Sequence, residues 1–383
     1  MPPALPRLSA LALIATSLLA GGPAAAQALV SPSAIAEYRA KLAQFEQAHA
    51  PYERRASAYW DQVSEKRRLR NAKRRQHLPI DLDDYVLAQP PIYSGPPRPI
   101  DPEHPSEPPP EQVPIPVLAD FLTAAASEFG FVPDRPQNEG EFKRAYARAA
   151  MSAGLTREQV IGVYAFETGG NGTYDMQAGV TPTRTRAISP AVGYNQLLST
   201  NTVSLLAEYG NRYLAALRMK AITLRGEARR LFDRKTEALK RMIAYSRSVP
   251  NRWSEHDRLA KTTRGGWGVH AAVLDIDIGP LLQVQKLVDS VQFARAKGYA
   301  APLTAPELEL MNLTGDGNGF DMLTMPQELR ERVPTANFFQ RQGYERNPVA
   351  RKTGVVAKLI ADIAAKMARG ERSAGAKEMA AAF

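Results

Sequence analysis

A chain of 383 residues with 44% hydrophobic and 23% charged residues has ample material for a buried core and is neither low-complexity nor fibrous. The absence of cysteine excludes a disulfide framework, a thiol nucleophile and lipid attachment through a cysteine, while a formal net charge of +10 favours anionic polymers as partners.

In chain order, Arg7 precedes an apolar run, Leu8 to Ala20, and a small-residue stretch that ends Ala26-Gln27-Ala28. A basic start, an apolar segment too short to span a bilayer and an Ala-x-Ala site are the parts of a cleaved signal peptide, expected at residues 1–28. The mature chain is expected to be periplasmic or secreted, with no integral membrane segment and no lipid anchor. Export argues against nucleic acid as a partner.

Residues 29–88 have a helical pattern in which Tyr38, Leu42, Phe45, Tyr52, Tyr59, Trp60 and Val63 are spread among charges; Pro51 is expected to break or kink it. The run Lys66-Arg67-Arg68-Leu69-Arg70-Asn71-Ala72-Lys73-Arg74-Arg75 reads either as a solvated helix end balanced by Asp81, Asp83 and Asp84, as a tether to an anionic surface, or as a nucleic-acid patch. Twelve prolines punctuate residues 89–116, a composition that predicts an extended linker or strap. Helical periodicity resumes at residues 117–122 and 142–151.

Thr156-Arg157-Glu158-Gln159 is a capping box, after which Val160, Val163, Tyr164 and Glu167 fall on one helical face before Gly169-Gly170. An acid on an apolar stripe, in the last turn before a break, is placed to hold its proton to an unusually high pH at the rim of a cleft. A polar loop leads to Ala187-Ile188-Ser189-Pro190-Ala191-Val192-Gly193-Tyr194-Asn195-Gln196, with Thr202 six residues on. Together the Glu167-Thr168 pair and Ser-x-x-x-Gly-x-x-Gln resemble the lytic transglycosylase domain of the lysozyme superfamily, with Thr168 in the place of the family's Ser and Asn195 in that of its usual Met. The likeness is concentrated in about a tenth of the chain. It implies a mainly α, lysozyme-like domain that cuts peptidoglycan glycan strands between MurNAc and GlcNAc, leaving anhydro-muramyl ends. It implies Glu167 as general acid and base, Thr168 as its orienting neighbour, and Gly193, Tyr194, Asn195 and Gln196 as lining of the sugar site.

Further on, residues about 211–249 read as a basic helical hairpin inserted in the domain, either a flap over the cleft or a solvated pair. Gly265-Gly266-Trp267-Gly268 reads as a loop whose aromatic either stacks on a sugar or packs in the core. Where the family carries Tyr-Asn-Ala-Gly, this chain has Met311-Asn312-Leu313-Thr314-Gly315: Asn312 matches and joins the expected substrate-binding residues, whereas Met311 departs. Tyr194 or Tyr299 stands as a replacement for the missing hydroxyl. Asp316-Gly317-Asn318-Gly319-Phe320-Asp321 looks superficially like a calcium loop but lacks the ligand at its fifth position and the glycine at its sixth. The histidines never fall at metal-ligand spacing, so neither metal nor cofactor is expected. The domain is expected over residues 117–350, followed by an amphipathic C-terminal helix in 351–383. Two other functions fit the same residues: a hydrolytic lysozyme with Asp175 as second carboxylate, or a catalytically weak wall-binding scaffold.

Overall fold

The computed structural model describes residues 30–105, 114–181, 183 and 185–383, so the expected leader and part of the Pro-rich stretch lie outside the described residues. The chain is mainly helical; among the described residues there are isolated bridges and no strand. Its described residues divide into two compact units, residues 30–50 with 94–105, and residues 51–93 with 114–181, 183 and 185–383.

Helix α1 (Pro32–Arg75) begins in the first unit, where Glu37 and Lys41 pair at 2.7 Å and Phe45 stacks on His49. Residues 31–50 are exposed or half-buried throughout. The helix continues through Pro51 rather than ending there. One lost backbone bond is outweighed by packing further along, where Ala56, Tyr59, Trp60 and Val63 are buried.

In the second unit follow α2 (Leu118–Phe129), α3 (Glu139–Ser152), α4 (Arg157–Thr168), α5 (Ser199–Ala221), α6 (Gly226–Ser246), α7 (Trp253–Thr262), α8 (Arg264–His270) and α9 (Gly279–Ala296). Then come α10 (Ala305–Thr314), α11 (Asp316–Thr324), α12 (Gln327–Arg332), α13 (Arg341–Arg346), α14 (Pro348–Thr353), α15 (Val356–Gly370) and α16 (Ala374–Ala381). Helix α4 packs on α10 and α15, and α16 closes over α3 and α4.

Three local expectations change. Residues 199–246 form a helical pair, α5 and α6, that is neither flap nor solvated: Ala238, Leu239, Met242 and Ile243 are buried, and Lys235 is enclosed with Asp275 (3.1 Å) and Asp277 (2.8 Å). The glycine-rich segment is helix α8, not a loop. Its Gly266 lies so close to the Leu259 carbonyl that no Cβ fits, and this close approach, not a turn, explains the residue. The Asp316–Asp321 stretch, whose sequence already lacked a calcium loop's ligands, forms the first part of α11, with Asp316 held by Ser290 (2.6 Å) and Lys286 (3.2 Å).

The basic run of α1 is the third. Arg70 is buried, donating to the Asp84 (2.8 Å) and Asn337 (3.1 Å) carbonyls with its guanidinium 4.4 Å from the Tyr85 ring centre. Arg67 donates to the Asn337 and Phe339 carbonyls, Lys66 to that of Asp83, while Lys73 pairs with Asp84 and Arg74 with Asp321. Of this run Arg68 and Arg75 stay exposed. Most of these charges are fasteners inside the unit, neither a solvated end nor a free tether.

Candidate active site

Helix α4 is fixed at both ends. At its start Gln159 N–H donates to Thr156 Oγ1 (3.2 Å), Thr156 N–H donates to Gln159 Oε1 (2.9 Å), and Gln159 Nε2 reaches the Leu303 carbonyl (2.7 Å) just ahead of α10. At its end Gly169 takes the left-handed conformation, φ 65°. Val160, Val163 and Tyr164 are buried, so the same face carries Glu167 inward.

Glu167 is half-buried, with its side chain partly open and its carboxyl surrounded by protein on most sides. Asn312 of α10 donates from Nδ2 to Glu167 Oε1 at 2.9 Å. The same amide lies 3.5 Å from the Asn195 carbonyl, which brings the 193–196 turn to the carboxylate. That turn is closed by Gln196 N–H on the Gly193 carbonyl (3.3 Å), with φ of 89° at Gly193 and 45° at Gln196. Gly193 is required twice over: by its positive φ, and because a Cβ would stand 2.7 Å from Gln283 Oε1.

The side chains of the turn hold it rather than face outward. Asn195 donates from Nδ2 to the Gln283 carbonyl (2.8 Å), and Gln196 from Nε2 to the carbonyls of Gly193 (2.9 Å) and Met176 (3.2 Å). Tyr194 is wholly buried, edge-on to Phe142, Tyr146 and Tyr164, with its hydroxyl on Glu139. A sugar-lining place for Tyr194 is therefore corrected to a core place: the neighbouring rings claim its face. Thr168 also turns away, donating to the Tyr164 carbonyl (2.7 Å) and accepting from Gly170 N–H (3.2 Å); it braces the end of α4 and is not bonded to Glu167.

Neither proposed tyrosine supplies a hydroxyl to Glu167, since Tyr299 bonds Glu307 at 3.2 Å, and Met311 is buried. Asp175 is committed to Arg135 and to Thr173 (2.7 Å). Missing from the sequence reading is Glu309, three residues before Asn312 and so on the same face of α10. It is fully buried between Leu308 and Leu310, and its carboxyl is within hydrogen-bonding reach of Glu167. Its signal was present: an acid inside an apolar run, the same pattern that marked Glu167.

Burial pushes the Glu167 carboxyl up to about 7, with the hydrogen bonds from Glu309 and Asn312 acting in the opposite sense. Glu309 is pushed well above the carboxylate range, first by burial and then by the neighbouring Glu167. One carboxyl here thus holds its proton to near neutrality on a half-buried side chain, which suits a general acid. Among the described residues no three His, Asp or Glu side chains converge as a metal ion demands.

No family model matches the chain, and no curated protein or solved structure is similar enough to count as a match.

Proposed function

We propose that the second unit has a lysozyme-like architecture and cleaves the glycan strands of peptidoglycan without hydrolysis, with Glu167 as acid and then base. Protonated Glu167 gives its proton to the bridging oxygen as the bond from that oxygen to the muramyl anomeric carbon breaks. The resulting carboxylate takes the proton of the same sugar's primary hydroxyl, whose oxygen closes on the anomeric carbon to give the anhydro ring. Acid and base are one group, and the proton count balances over the cycle.

The observation that carries this is where the second carboxyl sits. Glycosidases that use two carboxylates hold them at least about 5 Å apart, across the scissile bond. Glu309 is instead fully enclosed and close enough to Glu167 for the two carboxyls to interact directly. Asp175, the other acid suggested for a hydrolytic route, is occupied by Arg135 and Thr173. A single working carboxyl suits an internal nucleophile. The resemblance of the Glu167-Thr168 and Gly193–Gln196 segments supplies the substrate class, and the leader expected at residues 1–28 would deliver the chain to it.

Two measurements test this. Glu167→Gln should keep the fold and lower the rate of release of fragments from purified sacculi by roughly 10² or more; full activity in that variant removes Glu167 from the chemistry. Mass spectrometry of wild-type digests should find anhydro-muramyl ends, one water lighter than reducing ends. Only hydrated ends would assign the chain to hydrolysis, and binding without any cleavage would assign it to a scaffold.

A further inference from the structure

We infer that Glu309 is a positioning residue: a permanently neutral carboxylic acid whose O–H donates to the Glu167 carboxylate, so that the two acids work as one proton exchanger with one closed and one open member. The consequence for catalysis rests on the glycan-cleavage proposal above; the proton assignment does not.

The geometry leads there by elimination. Glu309 has no exposed surface, and neither of its carboxyl oxygens receives a hydrogen bond from any backbone N–H or other donor group. An ionised carboxylate cannot be left so, least of all beside a second carboxylate. A proton on Glu309 removes the conflict, because the O–H then has an acceptor in Glu167 and the enclosed charge disappears. Asn312 already occupies Glu167 Oε1, so the pair is fixed from one helix by residues three apart.

Besides Glu167, the Asn312 amide faces Glu309, and that amide is already given to Glu167 Oε1. On α3, Tyr146 is fully buried, and burial holds its hydroxyl protonated. On α9, Lys286 lies near enough to be felt but is taken by Asp316 of α11 (3.2 Å) and Ser290 (3.3 Å). The buried face of α15 is apolar: Val356, Leu359, Ile363 and Met367. Glu167 on α4 is the one carboxylate that meets it.

The asymmetry between the two acids gives the pair its use. Glu167 is partly open and can pass its proton to a substrate oxygen; Glu309 is closed and keeps its own. When Glu167 becomes an anion it accepts two hydrogen bonds, from the Asn312 amide and the Glu309 hydroxyl. Donors aimed at the charged form make it a stronger acid than burial alone would leave it, while holding its free oxygen oriented for the return proton. Only the Glu167 proton travels in the cycle.

The test uses the full chain with ¹³C at the glutamate side-chain carboxyls. Titration is followed by NMR, and the Glu167 signal is assigned by its loss in Glu167→Gln. In the wild type the Glu309 carbon should keep the shift of a protonated acid through pH 8. Glu309→Gln preserves a neutral donor and should move the Glu167 midpoint by less than about half a pH unit, whereas Glu309→Leu removes the donor and should raise it by about one unit. On sacculi, Gln should leave kcat within about threefold, and Leu should lower kcat with little change in KM and move the pH profile to the alkaline side. A carboxylate shift for Glu309 at pH 7, or a fall of the Glu167 midpoint by more than about one unit in Glu309→Gln, would overturn the inference, because either means that a negative charge has been there. Should Glu309→Leu not fold, the wild-type Glu309 signal and the Gln variant decide alone. If no protein in the series cuts glycan while these NMR results hold, the pair stands and the proposed reaction falls.

Discussion

At the scale of single residues, the acid pair has a thermodynamic side that is independent of any substrate. Glu167 binds its proton more tightly in the folded chain, about 7, than in the unfolded chain, about 4.3. A raised value means that the stabilising contribution is complete below the unfolded value and is lost as pH rises through the folded one. Stability should therefore decline between about pH 4 and pH 8, and Glu167→Gln should flatten that decline. The variant should be more stable than wild type at pH 8 by up to about 3–4 kcal/mol and little changed at pH 4, as urea unfolding at the two pH values would show. Equal effects at both would mean that Glu167 is not titrating in this range. The cleavage rate should follow the same group, falling as pH rises through about 7 because the acid form is lost.

At the scale of elements, Lys66–Arg75 is where charge and structure must be separated. Lys66, Arg67, Arg70, Lys73 and Arg74 recur at helical spacings of three and four, so they share one face, and that face is turned into the second unit. Arg70→Leu would leave the Asp84 carbonyl without its donor and the Asn337 carbonyl with Arg67 alone, and should cost about 2–4 kcal/mol. Exposed Arg68→Gln should stay within about 0.5 kcal/mol. Chemical denaturation distinguishes them, and similar small effects would return the run to a solvated helix end. The face was legible from spacing; what a charge-rich sequence conceals is that carbonyls, which no sequence pattern displays, are the partners. Helix α4 was legible almost to the residue, because a capping box, an apolar stripe and a glycine stop all agree. Helix α8 was not: its glycines Gly265, Gly266 and Gly268 serve close approach to α6, α7 and α2 in turn, which depends on neighbours and not on local propensity.

At the scale of the molecule, the second unit is knit by contacts between distant parts of the chain, and this is why its site could be read only in part. The Glu167 carboxylate and the turn beside it carry local signatures. Glu309 and the bracing role of Thr168 emerge only once α10 lies on α4. The C-terminal helices belong to the same core: α15 buries Leu359, Ile363 and Met367, and Gly375 N–H donates to Asn171 Oδ1 at 3.0 Å. Ending the chain after residue 354 should therefore strip the back of α4, abolish a cooperative melt and remove any cleavage of sacculi. A truncated protein that still melts sharply near the wild-type temperature would show α15 to be an appendage.

The bond from Asn312 to Glu167 joins residues 145 positions apart, and it sets a timetable. During synthesis α4 leaves the ribosome well before α10 and α15 exist, and until they arrive Glu167 is an ordinary solvated carboxylate with no unusual hold on a proton. Its acidity at neutral pH is thus acquired late, as the final act of long-range closure and not with the forming of its own helix. Under the reaction proposed above, a nascent chain would be inert until that closure, a delay built into the polypeptide itself.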